Sequence, residues 1–454
     1  MMKNWKIPGL AAVMAFACAA VAHAQEAAPS MEELAAQVAH AQASADNAWI
    51  MTASAIVLMM TAPGLILFYG GLVRSKNVLS VFMHSLLMMG AVSLAWLVAG
   101  YSIAFGGPTG EEASPFIGGF DHLFLQGVSH EFDGSGISEM TVMFFQMMFA
   151  IITPALMTGA FAERFRFRAL VPFAVLWSLI LYAPLTHMVW GENGFLNTAI
   201  PALDFAGGTV VHISSGVSAL VIALYIGKRR NYPGPDFAPH NLVISAIGAG
   251  LLWVGWFGFN AGSALAANHV ATSAFAATHF SAAAAACSWC AAEWLLKKKP
   301  SLLGAISGLV AGLVGVTPAA GFVTPWAGMV IGLVTGVAAF FAVEFLKPKL
   351  GYDDSLDVFG IHGVGGMVGA VLTGVVATAA IGAGVAGLID GEPGRVVSQI
   401  FAVLITIGMS VVITGVLIVL IDKTIGIRPT EEEELMGLDI IDHGERGYRN
   451  LEAG

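Results

Sequence analysis

From residue 48 onward the chain alternates apolar blocks of about 20 residues with short polar connectors, and about 20 residues at 1.5 Å each cover the hydrocarbon of a bilayer. Each block therefore predicts a membrane-crossing helix. Eleven blocks fall at 48–72, 78–105, 138–162, 168–190, 206–227, 241–261, 272–296, 302–319, 325–346, 358–384 and 396–422. The connectors give an independent reading, because Lys and Arg gather in short loops on the cytoplasmic side. Arg74 and Lys76 follow the first block; Arg164, Arg166 and Arg168 follow the third; Lys228, Arg229 and Arg230 follow the fifth. Lys297, Lys298 and Lys299 follow the seventh, Lys347 and Lys349 the ninth, and Lys423 and Arg428 the eleventh. The other connectors, including the acidic stretch from Gly106 to Ser138, hold almost no basic residue, Arg395 being the exception. The N-terminus is expected outside and the C-terminus in the cytoplasm.

Ahead of the first block, Lys3 and Lys6 precede an apolar run from Leu10 to Val21 and then Ala22-His23-Ala24. That order predicts a cleaved signal peptide at 1–24, the alternative being an uncleaved extra helix. A polar segment at 25–47, an eleven-helix unit at 48–422 and a cytoplasmic tail at 423–454 complete the expected organisation. An all-α polytopic membrane protein follows. Eleven spans divide into two five-helix halves plus one extra helix, and an odd number per half requires the second half to be inverted. Faint self-similarity supports the division, with Phe68-Tyr69-Gly70-Gly71 in the first span and Phe259-Asn260-Ala261-Gly262 in the sixth. Gly304, Gly308 and Gly312, like Gly332 and Gly336, form small-residue faces for close helix packing.

Composition agrees with the pattern: of 454 residues, 57% are hydrophobic and only 11% charged, far from a soluble domain. A formal charge of −10 makes nucleic acid a poor partner. Three cysteines exclude a disulfide scaffold, and Cys287-Ser288-Trp289-Cys290 within an apolar helix reads as packing. Glu163, Glu293 and Glu344, beside basic residues at the cytoplasmic ends, read as interfacial ion pairs.

Ionisable groups are costly in hydrocarbon, so those inside spans are candidates for function. His212 lies near the start of span five, in the run from Asp204 to His212, and His362 near the start of span ten, in the run from Asp357 to Gly366. Spans five and ten are equivalent members of the two proposed repeats, which would bring both imidazoles together near the midplane. Paired neutral imidazoles can share one N–H or relay a proton. A metal is the rival use, without a third ligand at suitable spacing. Asp204 fits two roles equally, capping span five or stabilising a cation. A second cluster is aromatic: Phe145 and Phe149 in span three, Trp190 closing span four, and Trp256, Phe259 and Ser263 in or after span six. Its ordinary explanation is an interfacial belt; its functional one is a cation trap in which each ring contributes roughly 0.5–2 kcal/mol.

These runs, together with Ala62-Pro63-Gly64 through Asn77 and the tail from Gly437 to Glu445, resemble the ammonium transporter (Amt/Mep/Rhesus) family, in its bacterial Amt form, over about residues 46–448. The resemblance implies a homotrimer of eleven-helix subunits in the inner membrane, embedded in lipid, each with its own pore, a role in nitrogen utilisation, no cofactor and no enzymatic activity. It assigns Phe145, Phe149, Trp190 and Ser263 to an outer ammonium-recruitment site and Phe149 with Phe259 to a gate beneath it. His212, His362 and Trp256 become pore-lining residues, Asp204 the acidic residue near recruitment, and Leu435–Tyr448 a docking segment for PII-type signal proteins. The polar segment 25–47 and the long loop 106–138 depart from the pattern.

The physics fits that implication. Ammonium and potassium are nearly the same size, but ammonium alone donates hydrogen bonds and gives up a proton. An apolar pore with two imidazoles favours neutral ammonia, because desolvating the full cation costs several to tens of kcal/mol. Two further readings stand beside transport: an ammonium sensor reporting occupancy through the tail, and a histidine-containing membrane redox protein.

Overall fold

Among the described residues of the computed structural model, ten helices are long and apolar enough to cross a membrane, and a shorter apolar helix joins them. The structure describes residue 14 and residues 29–108, 113–131, 136–234, 237–381 and 384–448, so the expected signal peptide and its cleavage site lie, Met14 apart, outside the described residues. In chain order the helices are α1 Met31–Leu72, α2 Ser75–Phe105, α3 Glu139–Met157, α4 Phe167–Thr198, α5 Gly208–Ile226 and α6 Leu242–Gly262. They continue as α7 His269–Lys297, the shorter α8 Leu302–Val316, α9 Pro325–Leu350, α10 Phe359–Val376 and α11 Gly394–Thr424. Two small helices follow, α12 Glu431–Met436 and α13 Leu438–His443, and no strand occurs among the described residues.

Side-chain caps set many of the starts. Ser138, Asn241, Asn268, Ser301 and Thr324 each accept a backbone N–H three residues on, satisfying one of the amides that a helix start leaves open. At Ser30 the arrangement is reciprocal, since Glu33 N donates to Ser30 Oγ at 3.1 Å and Ser30 N to the Glu33 carboxylate at 2.7 Å. Consequently α1 begins at Met31, and much of the segment expected as a polar lead at 25–47 is a helical extension of the first span. Polarity there concealed helicity: 31–47 holds neither Gly nor Pro. Within α1 the regular geometry breaks at Ala62 (φ −138°, ψ 116°), where Pro63 removes a donor and restricts the residue before it.

The glycine faces behave as their spacing suggests. A methyl group on Gly312 would collide with Ser281 O and Ala285, and one on Gly336 with Ser288 and Ala285, so α8 and α9 both lie backbone-close against α7. Packed against both α7 and α9 and largely buried, α8 has only 15 residues. Cys287 is exposed and Cys290 half-buried, both free.

At one end of the bundle, called here the tail side, the loops are joined by buried ion pairs. Glu163 is 1% exposed and meets Arg74 at 2.8 Å and Arg229 at 3.4 Å, while Arg229 also pairs with Asp353 at 2.9 Å. Burial alone would raise the Glu163 carboxyl, but Arg229 and Arg74 outweigh it and hold it below its ordinary value. Glu163 is thus a core group and not the interfacial one expected, because its carboxylate also receives the Arg74 backbone N–H at 2.7 Å. Glu344 meets Lys297 at 2.5 Å, and Glu293 receives the Ser301 N–H at 2.8 Å and lies 3.7 Å from Lys297. The tail docks on this floor: Ser80 N donates to Asp439 at 2.8 Å, Leu438 N to Asn77 at 2.8 Å and Arg230 N to Glu434 at 2.8 Å. Arg166 pairs with Glu433 at 2.6 Å.

Candidate functional site

Two helices supply the histidines, and each begins at a buried aspartate. Ahead of α5, the Asp204 carboxylate receives backbone N–H groups from Gly207 (2.8 Å), Gly208 (2.6 Å), Thr209 (2.8 Å) and Val210 (3.3 Å), and the Thr209 hydroxyl as well. Gly207 makes the turn possible at φ +114°, a conformation that side chains rarely adopt. Of the two roles open to Asp204, capping is therefore seen directly in the bonds. Ahead of α10, Asp354 Oδ2 receives the Phe359 N–H at 2.7 Å. Asp357, which heads the sequence run, instead pairs with Lys347 at 2.6 Å. His212 and His362 each stand eight residues after their capping aspartate. The helices run oppositely: α5 reaches the tail side at Ile226, whose carbonyl accepts from Arg428, whereas α10 starts there among Arg164, Asp353 and Lys347.

Between them the side chains form a column. Phe145 and Phe149 meet edge-on with centroids 4.9 Å apart, and Phe149 is perpendicular to Trp190 at 6.0 Å. Phe149 lies 4.2 Å from Phe259 at 36°, and Phe259 lies 6.0 Å from the His212 ring. Trp256 stacks at 23° beside His212, 5.4 Å away, and its indole N–H donates to Thr317 Oγ1 at 2.9 Å. His212 and His362 then approach with their Nδ1 atoms 3.3 Å apart. Ser263 is half-buried at the Trp190 end, its hydroxyl donating to Phe259 O at 2.8 Å. Phe145, Phe149, Trp190, Phe259, Trp256, His212 and His362 thus form one connected column, with Ser263 one turn beyond Phe259.

The Nδ1 contact fixes a relation between the rings. Only one of two neutral imidazoles can carry its proton on that nitrogen, so one ring donates, the other accepts, and their outward nitrogens differ in kind. His212 Nε2 is buried with no protein partner, leaving an unmatched polar edge beside the Trp256 and Phe259 rings. Two nitrogens make a poor metal cage, and among the described residues no group of three or more His, Cys, Asp or Glu could hold a metal.

Some contributors escaped the sequence reading. Thr317 orients Trp256, and Gln399, 1% exposed on α11, bonds the backbone beside Asp204. Both are neutral, and a search confined to ionisable groups passes over them. Conversely, His84, His187 and His279 also lie inside spans. His84 stacks on Phe167 and His279 on Trp253, while the His187 ring nitrogens face Ala104 O (2.9 Å) and Ser114 O (2.8 Å).

Comparison with known proteins bears on the chain as a whole. The family model described as Ammonium Transporter Family matches residues 48–448. An ammonium transporter of Bacillus subtilis is 46% identical over 410 residues, covering 89% of this chain and 98% of that one. Ammonium transporter Amt1 of Archaeoglobus fulgidus is 42% identical, covering 88% and 98%. Among solved structures, Saccharomyces cerevisiae Mep2 aligns with a TM-score of 0.78 at 35% identity over 86% of this chain and 88% of that one. A structure titled Sensor Amt Protein aligns with a TM-score of 0.81 at 27% identity over 88% and 99%.

Proposed function

The chain belongs to the ammonium transporter family, a family of membrane transporters and not of enzymes, and on that premise we propose that it imports ammonium through a pore lined by His212 and His362. The observation that carries this reading is the 3.3 Å imidazole pair beneath the Phe149 and Phe259 rings. Ammonium is recruited at Phe145, Phe149, Trp190 and Ser263, where ring faces attract the cation and the serine oxygen can accept an N–H. One N–H bond then breaks, its electron pair staying on nitrogen and its proton passing to a water molecule at the mouth, from which it enters the imidazole relay. Neutral ammonia passes Phe149 and Phe259, because carrying the full cation through an apolar constriction costs several kcal/mol or more. Along the imidazoles ammonia finds a donor on one ring and an acceptor on the other. The proton travels separately: the shared Nδ1 contact passes it on when the rings exchange donor and acceptor roles.

In this reading α8 counts as the eighth of eleven spans, and the opposite directions of α5 and α10 reflect inverted five-helix halves. Three subunits associate in the inner membrane, the tail side faces the cytoplasm, and a PII-type signal protein acts at the segment Leu435–Tyr448. A sensor role is the second reading, favoured by the docking of α12 and α13 onto α2 and the α3–α4 loop, and by the likeness to the solved Sensor Amt Protein.

The test is ammonium-driven flux in liposomes for wild type and His212→Ala. A folded variant should show severely reduced flux or altered selectivity, and unchanged ammonium selectivity would remove the histidine from the mechanism.

A further inference from the structure

α11 supplies none of the residues in the column, yet it holds a side chain whose bonds converge on the column's mouth. Residues 199–207 run outside any long helix, and Leu203, Asp204, Ala206 and Gly207 among them are buried, so their backbone polar groups need partners from elsewhere. At Leu203 both are met by one side chain: Leu203 N donates to Gln399 Oε1 at 2.6 Å, and Gln399 Nε2 donates to Leu203 O at 2.9 Å. A carboxamide is suited to this because it presents an acceptor and a donor in one plane, as a second peptide group would. The second Nε2 hydrogen goes to Ala370 O at 2.8 Å, on α10 and eight residues beyond His362. The next residue after Leu203 is Asp204, whose carboxylate caps the His212 helix and whose carbonyl receives the Trp190 indole N–H at 2.8 Å. Gln399 therefore ties together the helix of His362, the cap of the His212 helix and the ring at the mouth. Arg395, one turn earlier on α11, adds bonds from its guanidinium to Pro201 O and, at 3.3 Å, to Ala386 O.

We infer that Gln399 is a positioning residue for ammonium recruitment, setting Trp190 through the Leu203–Asp204 backbone. The inference rests on the recruitment reading above. It also gives the extra helix a purpose, since α11 then holds the mouth in register with the two histidine helices.

The experiment uses full-length protein in liposomes, with uptake of radiolabelled methylammonium for wild type, Gln399→Met, Gln399→Glu, Trp190→Leu and the combination of Gln399→Met with Trp190→Leu. Gln399→Met keeps the length but loses the planar pairing, so the apparent KM should rise about fivefold or more while Vmax per folded protein stays within about twofold. Gln399→Glu retains an acceptor for Leu203 N–H and loses the donors, so its KM should fall between the two. With Trp190 already replaced, Gln399→Met should add little, since it acts through that ring. A merely structural role would instead lower folded yield and Vmax at unchanged KM. Unchanged KM in both Gln399 variants, or an effect fully additive with Trp190→Leu, would overturn the inference. Should Gln399→Met not fold, Gln399→Glu carries the test, with wild-type KM as the contrary result. Trp190→Leu raising KM while the Gln399 variants do not would overturn this inference alone, whereas Trp190→Leu leaving KM unchanged would overturn the recruitment reading with it.

Discussion

The heads of α5 and α10 share one plan, a buried aspartate eight residues before a histidine, yet they are surrounded by opposite chemistry. Asp204 is met by backbone amides and a threonine hydroxyl; among the described residues no cationic side chain pairs with it, and its carbonyl receives the Trp190 indole, which in turn meets Phe149 edge-on. Asp354 sits among fixed charges: Lys347 donates to its carbonyl, and Asp353, Arg164, Arg229 and Asp357 lie about it in ion pairs. Capping is thus the shared architectural role, and the surroundings divide the functions. The Asp204 end leaves a carboxylate met only by neutral groups, beside the Trp190 ring. The Asp354 end uses charge as a fastening for loops and tail, and the column between them contains neither.

The comparison breaks most severely at Asp204. Asp204→Ala would strand several buried amides at roughly 1–3 kcal/mol each, so thermal unfolding in detergent should show a marked loss of stability and uptake should vanish. Asp204→Asn keeps an accepting oxygen without the charge. Its NH2 then faces at least two of the buried N–H groups, so it should lose less stability than Asp204→Ala but more than a surface change, and the folded fraction should lose most uptake at low ammonium; wild-type uptake would reduce Asp204 to a cap. Next in size is Arg229→Met, which leaves Glu163 and Asp353 short of a partner and should cost about 3–5 kcal/mol, read as a fall in Tm, with selectivity per folded protein preserved. A change of selectivity there would contradict the division of labour between the two ends.

A smaller effect concerns pH. Burial, partly offset by Lys347, pushes the Asp354 carboxyl up to about 6 from an ordinary 3.8. Between those values the unfolded chain releases a proton that the folded protein retains, so this group favours unfolding progressively as pH rises from about 4 to about 6 and by a constant amount above. Asp354→Asn cannot titrate. Its Tm relative to wild type should therefore climb across that window and then level, and a flat difference would show that the carboxyl does not titrate there. Smallest for basal transport is deletion of the residues after Lys423. Uptake should fall modestly, as the contacts of Asp439 and Glu433 are lost, while inhibition by a PII-type protein should disappear; persistent inhibition would take that role from the tail.

Apolar block lengths anticipated the helical bundle, because they report the solvent a segment faces. What they missed has a common cause. Helicity beyond the membrane in 31–47, the buried setting of Glu163 and the choice of Asp354 over Asp357 as cap depend on hydrogen bonds between groups distant in sequence or on turn geometry. Arg395, out of place by the loop-charge rule, is bound to the Pro201 and Ala386 carbonyls. The column residues were legible because ionisable and aromatic groups in apolar helices stand out. Thr317 and Gln399 were not, since a neutral polar residue gives no signal until its partner is known.

The central claim is that ammonia and its proton part company at the mouth and that the imidazole pair serves both. Its most direct test is the ammonium-evoked current of liposomes on a solid-supported membrane, wild type beside a His212→Ala, His362→Ala double variant, with potassium as competitor. The account predicts a wild-type current that responds to ammonium and not to potassium, and in the double variant a current that is lost or joined by potassium. A double variant with wild-type current and selectivity, or wild type that passes ammonia to an internal pH dye without any current, would contradict it.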